Sequence, residues 1–338
     1  MNLLPWSQAW QQALYGPAGF YRRPEGPAGH FRTAAHVAGP DLALALRRLA
    51  REYGCTAIVD VGAGRGELLS ALAGSTALAD STARADSTTL ADSTTLAGSS
   101  ARSGSTRSPV GDGLELWGVD VVSRPARLPP GIGWSAGLAG LPVQALAGAL
   151  VIGWELLDVV PCPILERDAE GIGRQVLVDP PTGREQLGDP AGPADLSWCE
   201  RWWPGGTTAS EPAQEGDRLE VGAPRDEFWA ALVGRAGRAG AKALLAVDYA
   251  HRRSDRPALG SLTGFRAGHA VPPRPDGSMD LTAHVAIDAV AAAGLAAGAT
   301  TSTISSQQAA LRALGVRNAE LLDPGGLGGF SWLIQNLR

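Results

Sequence analysis

The sequence predicts an α/β fold with a doubly wound, mainly parallel sheet. Apolar segments of strand length alternate with segments of helical periodicity, which is the pattern of a sheet covered by helices on both faces. Three predicted strands also carry an acid at or just beyond their C-terminal end, namely Asp60, Asp120 and Asp248. Because ligands of such folds bind at the carboxyl ends of the strands, we expect the functional site at that edge.

The first predicted strand and the turn after it form the most informative segment. Residues 57–61 are apolar apart from Asp60, and glycines follow at every second position, Gly62, Gly64 and Gly66. A strand that turns sharply into a helix presents free backbone N–H groups, and glycine lets a ligand approach the main chain closely. The segment is therefore predicted to hold a small molecule.

The spacing of these glycines bears on the identity of the ligand. A dinucleotide fold requires G-x-G-x-x-G, whereas this chain has G-x-G-x-G with an acid two residues before the first glycine. This version resembles motif I of class I S-adenosyl-L-methionine (SAM) methyltransferases. SAM has no pyrophosphate, and its binding requires a carboxylate near its cationic methionine end. We favour SAM as the cofactor. The alternatives are that the loop binds a dinucleotide, or that it is a glycine-rich turn that binds no ligand. The candidate cofactor-binding residues are Asp60, Gly62, Ala63, Gly64 and Gly66.

A second cofactor contact is predicted at the end of the next strand. Residues 114–119 are largely apolar and lead into Asp120 and Val121. In nucleoside-binding α/β folds, the second strand ends in a carboxylate that binds the ribose hydroxyls. We therefore add Asp120 and Val121 to the candidate cofactor site. The alternative is that Asp120 only caps a turn.

Composition excludes several classes of protein. The 338 residues are 44% hydrophobic and 19% charged, as in globular proteins, and the net charge of -5 provides no basic field for nucleic acid. The three cysteines are scattered and the five histidines lack metal-ligand spacing, so neither a disulfide framework nor a metal site is predicted. The chain starts without a signal-peptide pattern and contains no apolar run of bilayer length. We expect a cytoplasmic protein without membrane contact.

The chain divides into four predicted parts. Residues 1–50 form a helical lead-in with a loop that covers the cofactor, and residues 51–161 and 222–338 form the SAM-binding core. Within this core, residues 75–112 repeat Ala-Asp-Ser-Thr and bury almost nothing, which indicates a disordered insertion. Residues 162–221 combine short apolar runs with Pro and Gly turns and indicate a β-rich cap for a substrate or partner.

Several segments together resemble the MidA-like family of class I SAM-dependent methyltransferases. This family includes the mitochondrial arginine methyltransferase that assists assembly of respiratory complex I. The strings E-x-x-D-x-x-P and D-L-T-A-H-V are the more specific matches. The matching segments, in chain order, are Tyr15–Tyr21, Gly29–Ala34, Val61–Leu68, Glu155–Pro161, Val247–Tyr249, Gly264–His269 and Asp280–Val285.

The resemblance implies a Rossmann-like sheet of seven strands, SAM as the cofactor and a protein side chain as the acceptor, with arginine favoured. It also implies that His30, Phe31 and Thr33, in the N-terminal loop, fold over the cofactor. The chain departs from the family pattern at Ala35, His36 and Trp154. These departures leave open another acceptor, or a SAM-binding scaffold of weak activity. An NAD-dependent oxidoreductase is a further alternative, which the glycine spacing opposes. The oligomeric state is left open.

Glu155 and Asp158 are the candidate catalytic residues. They follow the strand that is predicted to lie beside the first strand, and therefore beside the glycine loop. At three residues apart they are expected to share one face of a helical turn. Two such carboxylates could hold a guanidinium through charge-assisted hydrogen bonds. In the alternative reading Asp158 caps the next helix. Residues 281–293 are also predicted to form a helix, with His284 near its start.

Overall fold

The computed structural model describes residues 2–23, 34–75, 113–203 and 214–338. The helices are α1 (Trp6–Tyr15), α2 (Ala34–Glu52), α3 (residues 67–75), α4 (Val143–Leu146), α5 (Pro193–Trp202), α6 (Ala223–Arg238), α7 (Ile287–Ala296) and α8 (Gln307–Ala313). The strands are β1 (Leu4–Pro5), β2 (Ala57–Val61), β3 (Glu115–Val119), β4 (Gly133–Ser135), β5 (Ala149–Trp154), β6 (Ile164–Arg167), β7 (Gly173–Asp179), β8 (Arg184–Pro190), β9 (Arg218–Glu220), β10 (Ala243–Asp248), β11 (Ala250–His251), β12 (Thr263–Arg266), β13 (His269–Val271), β14 (Asp280–Thr282), β15 (Val285–Ala286), β16 (Thr301–Ser306) and β17 (Ser331–Asn336).

A seven-stranded sheet forms the centre of the structure, in the order β16-β17-β10-β5-β2-β3-β4. The pairs from β10 to β4 are parallel, whereas β17 runs antiparallel to both of its neighbours. Six of the seven strands therefore point the same way. The predicted doubly wound, mainly parallel sheet of seven strands is confirmed.

Helices cover both faces of this sheet. Helices α2, α3 and α8 pack on one face, and α4, α6 and α7 pack on the other. The central strand β2 is buried at every position, and its successive side chains enter opposite layers, with Ile58 on the α2 side and Val59 on the α6 side. This two-sided burial explains why the strand is a nearly continuous apolar run.

A second, antiparallel sheet is formed by four strands from the segment between β5 and α6 together with the N-terminal strand β1. Its strands follow the order β1-β7-β6-β9. Strands β1 and β6 pair with one edge of β7, and β8 pairs with the opposite edge. Helix α1 packs against this sheet through Trp6, Trp10 and Leu14, three residues at helical spacing. The predicted helical N-terminal extension and β-rich insertion are therefore present as elements of the fold.

One local prediction was wrong, and another concerns residues that the structure does not describe. The helix expected over residues 281–293 begins only at Ile287, because residues 280–282 pair with β12 and residues 285–286 pair with β11. Tertiary strand pairing thus overrides the helical preference of this alanine-rich segment. The predicted insertion, residues 75–112, lies outside the described residues except for Ser75, the last described residue of α3. In the part of the chain that the structure describes, no helix is both long and apolar enough to cross a membrane.

Candidate active site

The glycine loop leaves the end of β2 and leads directly into α3. The N–H groups of Gly62 and Ala63 both donate to the carbonyl of Val119, at 2.8 and 3.1 Å, which fixes the loop to β3. Gly62, Gly64 and Gly66 all have left-handed backbones, with φ of +77°, +57° and +80°. Only glycine adopts this conformation without strain, so the spacing of the glycines follows from the path of the loop.

Two of these glycines are also required by close packing. A Cβ on Gly62 would lie 2.8 Å from Leu156 Cδ1, and one on Gly66 would lie 2.4 Å from Leu128 Cδ1. Gly64 differs, because the atom nearest to a Cβ added there would be Glu67 Oε2, at an ordinary contact distance of 3.5 Å. The side of the loop at Gly64 is thus open enough for a ligand to approach the backbone.

Asp120 joins the end of β3 to the glycine loop. Its Oδ2 accepts a hydrogen bond from the Gly64 N–H at 2.8 Å, and its Oδ1 accepts one from the Val122 N–H at 3.2 Å. Burial raises the pKa of this half-buried carboxyl, although the backbone N–H donors oppose the shift. Val121 beside it is 39% exposed. The two predicted nucleoside contacts therefore lie at the same edge as the loop.

Asp60 is a buried carboxyl just below the loop. Its exposed fraction is 3%, and burial, followed by repulsion from Asp120 and Glu67, raises its pKa to about 8. A cation bound nearby would favour the ionised form and lower this pKa again. Asp60 is thus suited to pair with a cationic group.

The turn that carries Glu155 and Asp158 is not helical, so their predicted placement on one helical face was wrong. Glu155 has a left-handed backbone with φ of +51°, and its N–H donates to the carbonyl of Val247 at 2.8 Å. The N–H groups of Leu157 and Asp158 both point to the carboxylate of Asp248, at 3.1 and 3.4 Å. Asp248, at the end of β10, therefore holds the turn in a non-helical shape.

This turn contacts the glycine loop directly. The Leu156 side chain lies against Gly62 of the loop and against Gly153 of β5, where added Cβ atoms would approach it to 2.8 and 2.7 Å. Glu155 is half-buried, and Asp158 is 4% exposed. The structure thus brings the two predicted catalytic residues next to the predicted cofactor loop.

Asp158 lies in a group of buried polar side chains. Its Oδ2 accepts a hydrogen bond from Thr282 Oγ1 at 2.7 Å, while no described group donates a hydrogen bond to its Oδ1. Burial raises its pKa, opposed by the Thr282 hydrogen bond and by the charge of Arg225. The Asp248 carboxyl lies within hydrogen-bonding reach, so the two carboxyls can share one proton.

A fourth carboxyl, Asp280 at the start of β14, completes what we call the acid cluster: Glu155, Asp158, Asp248 and Asp280. Asp280 accepts hydrogen bonds from Tyr21 Oη at 2.8 Å and from the Leu281 N–H at 2.9 Å. Burial, then the charges of Asp158 and Glu155, raises its pKa to about 8. The pKa values of Asp158, Asp248 and Asp280 are all raised, and carboxyls perturbed in this way are typical of functional sites.

Aromatic rings border the acid cluster. Tyr249 follows Asp248 directly and is 37% exposed; it stacks on His284 with ring centroids 5.7 Å apart and contacts Phe330 at 4.0 Å. His284 lies between β14 and β15, shortly before α7 begins, and is not part of that helix. On the other side, Tyr15 stacks on Tyr21 with centroids 5.6 Å apart.

Sequence reasoning missed part of this site. Asp248, Asp280, Tyr21 and Thr282 had no assigned role, although three of them fall in the strings V-D-Y and D-L-T-A-H-V. The matched segments were the available signal, but the role of each side chain depends on contacts between residues 90 or more positions apart. The predicted cofactor residues His30, Phe31 and Thr33 lie outside the described residues. Within the described ranges, no group of three or more His, Cys, Asp or Glu could hold a metal ion.

The fold and the site together define a class I SAM-dependent methyltransferase architecture. The defining features are the mainly parallel sheet with one reversed strand, the glycine loop after its central strand and the acid at the end of the adjacent strand. A family model described as “Putative S-adenosyl-L-methionine-dependent methyltransferase” matches residues 42–305. The chain belongs to this family, which confirms the resemblance at the level of SAM-dependent methyltransferases.

Solved structures support the fold. The crystal structure of a Burkholderia thailandensis protein bound to S-adenosyl-homocysteine is 20% identical, with a TM-score of 0.70 over 99% of this chain and 88% of that chain. A native crystal structure of a protein from the same organism is 21% identical, with a TM-score of 0.71 over 99% of this chain and 87% of that chain. The search of curated proteins found no match.

Proposed function

We propose that this protein transfers a methyl group from SAM to a nitrogen atom of a protein side chain, with arginine as the favoured acceptor. The proposal depends chiefly on one observation, the acid cluster held directly beside the glycine loop. A cation bound beside these carboxyls would favour their ionised forms, whereas an anion would oppose ionisation, so the acid cluster favours a cationic acceptor over an anionic one. Arginine in particular is favoured by the resemblance to the MidA-like family.

The residues at the loop fit SAM. The main chain at Gly62, Ala63, Gly64 and Gly66 would lie against the cofactor, because the backbone is open at Gly64. The Asp120 carboxylate would accept hydrogen bonds from the ribose hydroxyls, with Val121 beside it. Asp60 would pair with the amino group of the methionine part. By resemblance, His30, Phe31 and Thr33 would cover the cofactor. SAM supplies the methyl group as part of a sulfonium.

Glu155 and Asp158 would serve the acceptor. A guanidinium presents its N–H groups in one plane and binds carboxylates through paired hydrogen bonds, which the half-buried Glu155 can accept. In the reaction, an N–C bond forms as the S–C bond breaks, and one proton must leave the acceptor nitrogen. A carboxylate at that position can take this proton, and we assign that role to Asp158, beside Asp248.

We assign the β-rich insertion, residues 162–221, to the protein that carries the acceptor. This insertion packs on α1, and the same apolar cluster includes Leu281 of β14, the strand that carries Asp280. A protein bound on this sheet could therefore present a side chain to the acid cluster.

The test combines SAM binding with methyl transfer. Purified wild-type protein and Glu155→Gln are incubated with methyl-tritiated SAM and a lysate, and SAM affinity is measured in parallel by calorimetry. We expect wild type to label a protein, and Glu155→Gln to bind SAM normally but to lose at least 100-fold in rate. Equal labelling by the two proteins would contradict the assignment of Glu155. Localisation of the label to arginine by mass spectrometry tests the favoured acceptor.

A SAM-binding scaffold is the second candidate, and one observation favours it. The family pattern has Asn at the position of Trp154. The Trp154 Nε1 is buried and has no hydrogen-bond partner among the described residues. Its ring packs edge-on against Trp332, with centroids 5.8 Å apart, so this position offers no amide to an acceptor. SAM binding with no transfer to any protein would support the scaffold. A fluorescence titration with NADH distinguishes the oxidoreductase alternative.

A further inference from the structure

We propose that Arg225 is a positioning residue of the acceptor site, which fixes the turn bearing Glu155 and Asp158 and places a positive charge beside the Asp158 carboxyl. The inference rests on the proposed function, because it concerns the same acid cluster. Arg225 is the third residue of α6 and belongs to none of the matched sequence segments. Only 2% of its surface is exposed.

The Arg225 guanidinium joins two segments of the site by hydrogen bonds to main-chain carbonyls. Its Nη2 donates to the carbonyl of Asp158 at 3.0 Å, and its Nε donates to that of Val160 at 3.1 Å. Its Nη1 donates to the carbonyl of His284 at 2.9 Å. One side chain therefore ties the turn after β5 to the segment between β14 and β15.

The same side chain connects the N-terminal helix to the site. The Arg225 Cζ lies 5.7 Å from the ring centroid of Trp10, within the range of a cation–π contact. The Trp10 Nε1 donates to the carbonyl of Leu281 in β14 at 3.1 Å. Helix α1 thus packs on both the cation and the strand that completes the acid cluster.

Among the described residues, no side chain directly neutralises the charge of Arg225. Across the described ranges, no carboxylate forms an ion pair with it. A cation also interacts unfavourably with the start of a helix, and a buried cation without compensation is costly. Negative charge nearby offsets that cost, and the Asp158 carboxylate, whose own main chain Arg225 contacts, is the appropriate group.

The surroundings of Asp158 show why a cation is needed there. The groups that face Asp158 from the neighbouring elements are Asp248 of β10, Thr282 and Asp280 of β14, His284, Tyr15 of α1, Tyr21, Tyr249, Glu155 and Arg225 of α6. Burial raises the pKa of Asp158, and burial lowers that of His284, so the imidazole is neutral near pH 7. Within this described set, Arg225 is the group that stays cationic.

Two substitutions separate the charge of Arg225 from its hydrogen bonds. Arg225→Lys keeps the cation but loses the planar fork of donors, whereas Arg225→Gln keeps an N–H donor and loses the charge. Arg235→Gln is the matched control, because Arg235 lies ten residues further along α6 and donates to the carbonyl of Leu141 at 2.7 Å. Thermal melts confirm that each variant is folded, and calorimetry should give SAM affinities within about twofold of wild type.

The direct readout is the titration of the Asp158 carboxyl, followed by 13C NMR of protein labelled at the aspartate side-chain carbon and assigned with Asp158→Asn. We expect Arg225→Gln to raise the Asp158 midpoint by about one pH unit or more, and Arg225→Lys and Arg235→Gln to leave it near the wild-type value. The acid limb of the kcat profile should move in the same direction in Arg225→Gln only. For Arg225→Lys we expect kcat to fall with an unchanged profile, because the turn is held less rigidly.

An Asp158 midpoint in folded Arg225→Gln that equals the wild-type value would overturn the inference. So would equal midpoints in Arg225→Gln and Arg225→Lys, since the charge would then have no role. If Arg225→Gln does not fold, Arg225→Lys decides, because a wild-type kcat in that variant contradicts the positioning role. The NMR measurement does not require methyl transfer. If the wild-type protein transfers no methyl group, the proposed function is refuted, but the Asp158 midpoints still test the role of Arg225.

Discussion

Replacing Gly64 separates cofactor binding from folding more cleanly than any other change in the loop. Its φ is +57°, and a Cβ built there would lie 3.5 Å from Glu67 Oε2, an ordinary contact. An alanine therefore fits the protein itself, and its cost is the left-handed backbone, about 1–2 kcal/mol. The same methyl group would stand on the open side of the loop, where the backbone is expected to meet SAM.

Gly54 provides a matched control for this strain. It lies in the turn between α2 and β2 with φ of +61°, and a Cβ there would have no neighbour within 4 Å. Urea titrations of Gly54→Ala and Gly64→Ala should show similar losses of unfolding free energy. Calorimetry with SAM should show wild-type affinity for Gly54→Ala and a loss of about 100-fold, or ~2.7 kcal/mol, for Gly64→Ala. Wild-type SAM affinity in Gly64→Ala, and in the larger Gly64→Val, would refute the assignment of the loop.

Three further predictions concern the loop and the acid cluster. Gly66→Ala should lose about 1–3 kcal/mol more stability than Gly64→Ala in urea, because its Cβ would lie 2.4 Å from Leu128 Cδ1; equal losses would contradict this packing. The pKa of Asp60 is raised to about 8, so the folded protein keeps a proton that the unfolded chain loses near pH 4. The free energy of unfolding should therefore fall as the pH rises from about 4 to about 8. Asp60→Asn should reduce that fall in urea titrations across this range, and an unchanged slope would contradict the burial of the carboxyl. Tyr21→Phe removes the hydroxyl that donates to Asp280, so it should lower the free energy of unfolding by about 1–2 kcal/mol and raise the pKa of Asp280 further. An unchanged Asp280 titration in 13C NMR would argue against the contact.

Local sequence patterns predicted the elements that local physics determines. The apolar run of β2 and its three glycines fix a buried strand and a left-handed loop, and Trp6 and Trp10 at helical spacing fix the buried face of α1. The position of Asp120 beside the loop followed as well, because parallel neighbouring strands end at the same edge.

The acid cluster could not be predicted in the same way. Asp248 lies 90 residues or more from the N–H groups it accepts from, and Asp280 meets Tyr21 across 259 residues. The N–H of Glu155, whose backbone is left-handed, donates to the carbonyl of Val247 in the distant strand β10, whereas the local sequence pattern predicted a helical turn. The role of Arg225 was missed for the same reason, since its partners are main-chain carbonyls that leave no mark in the sequence.

A crystal structure of this protein with S-adenosyl-homocysteine would show whether the cofactor binds at the glycine loop beside the acid cluster. We expect the nucleoside against the main chain at Gly64, the ribose hydroxyls at the Asp120 carboxylate, and the sulfur directed toward the turn of Glu155. A nucleoside bound at another edge of the sheet, or a loop closed by its own side chains, would contradict this expectation.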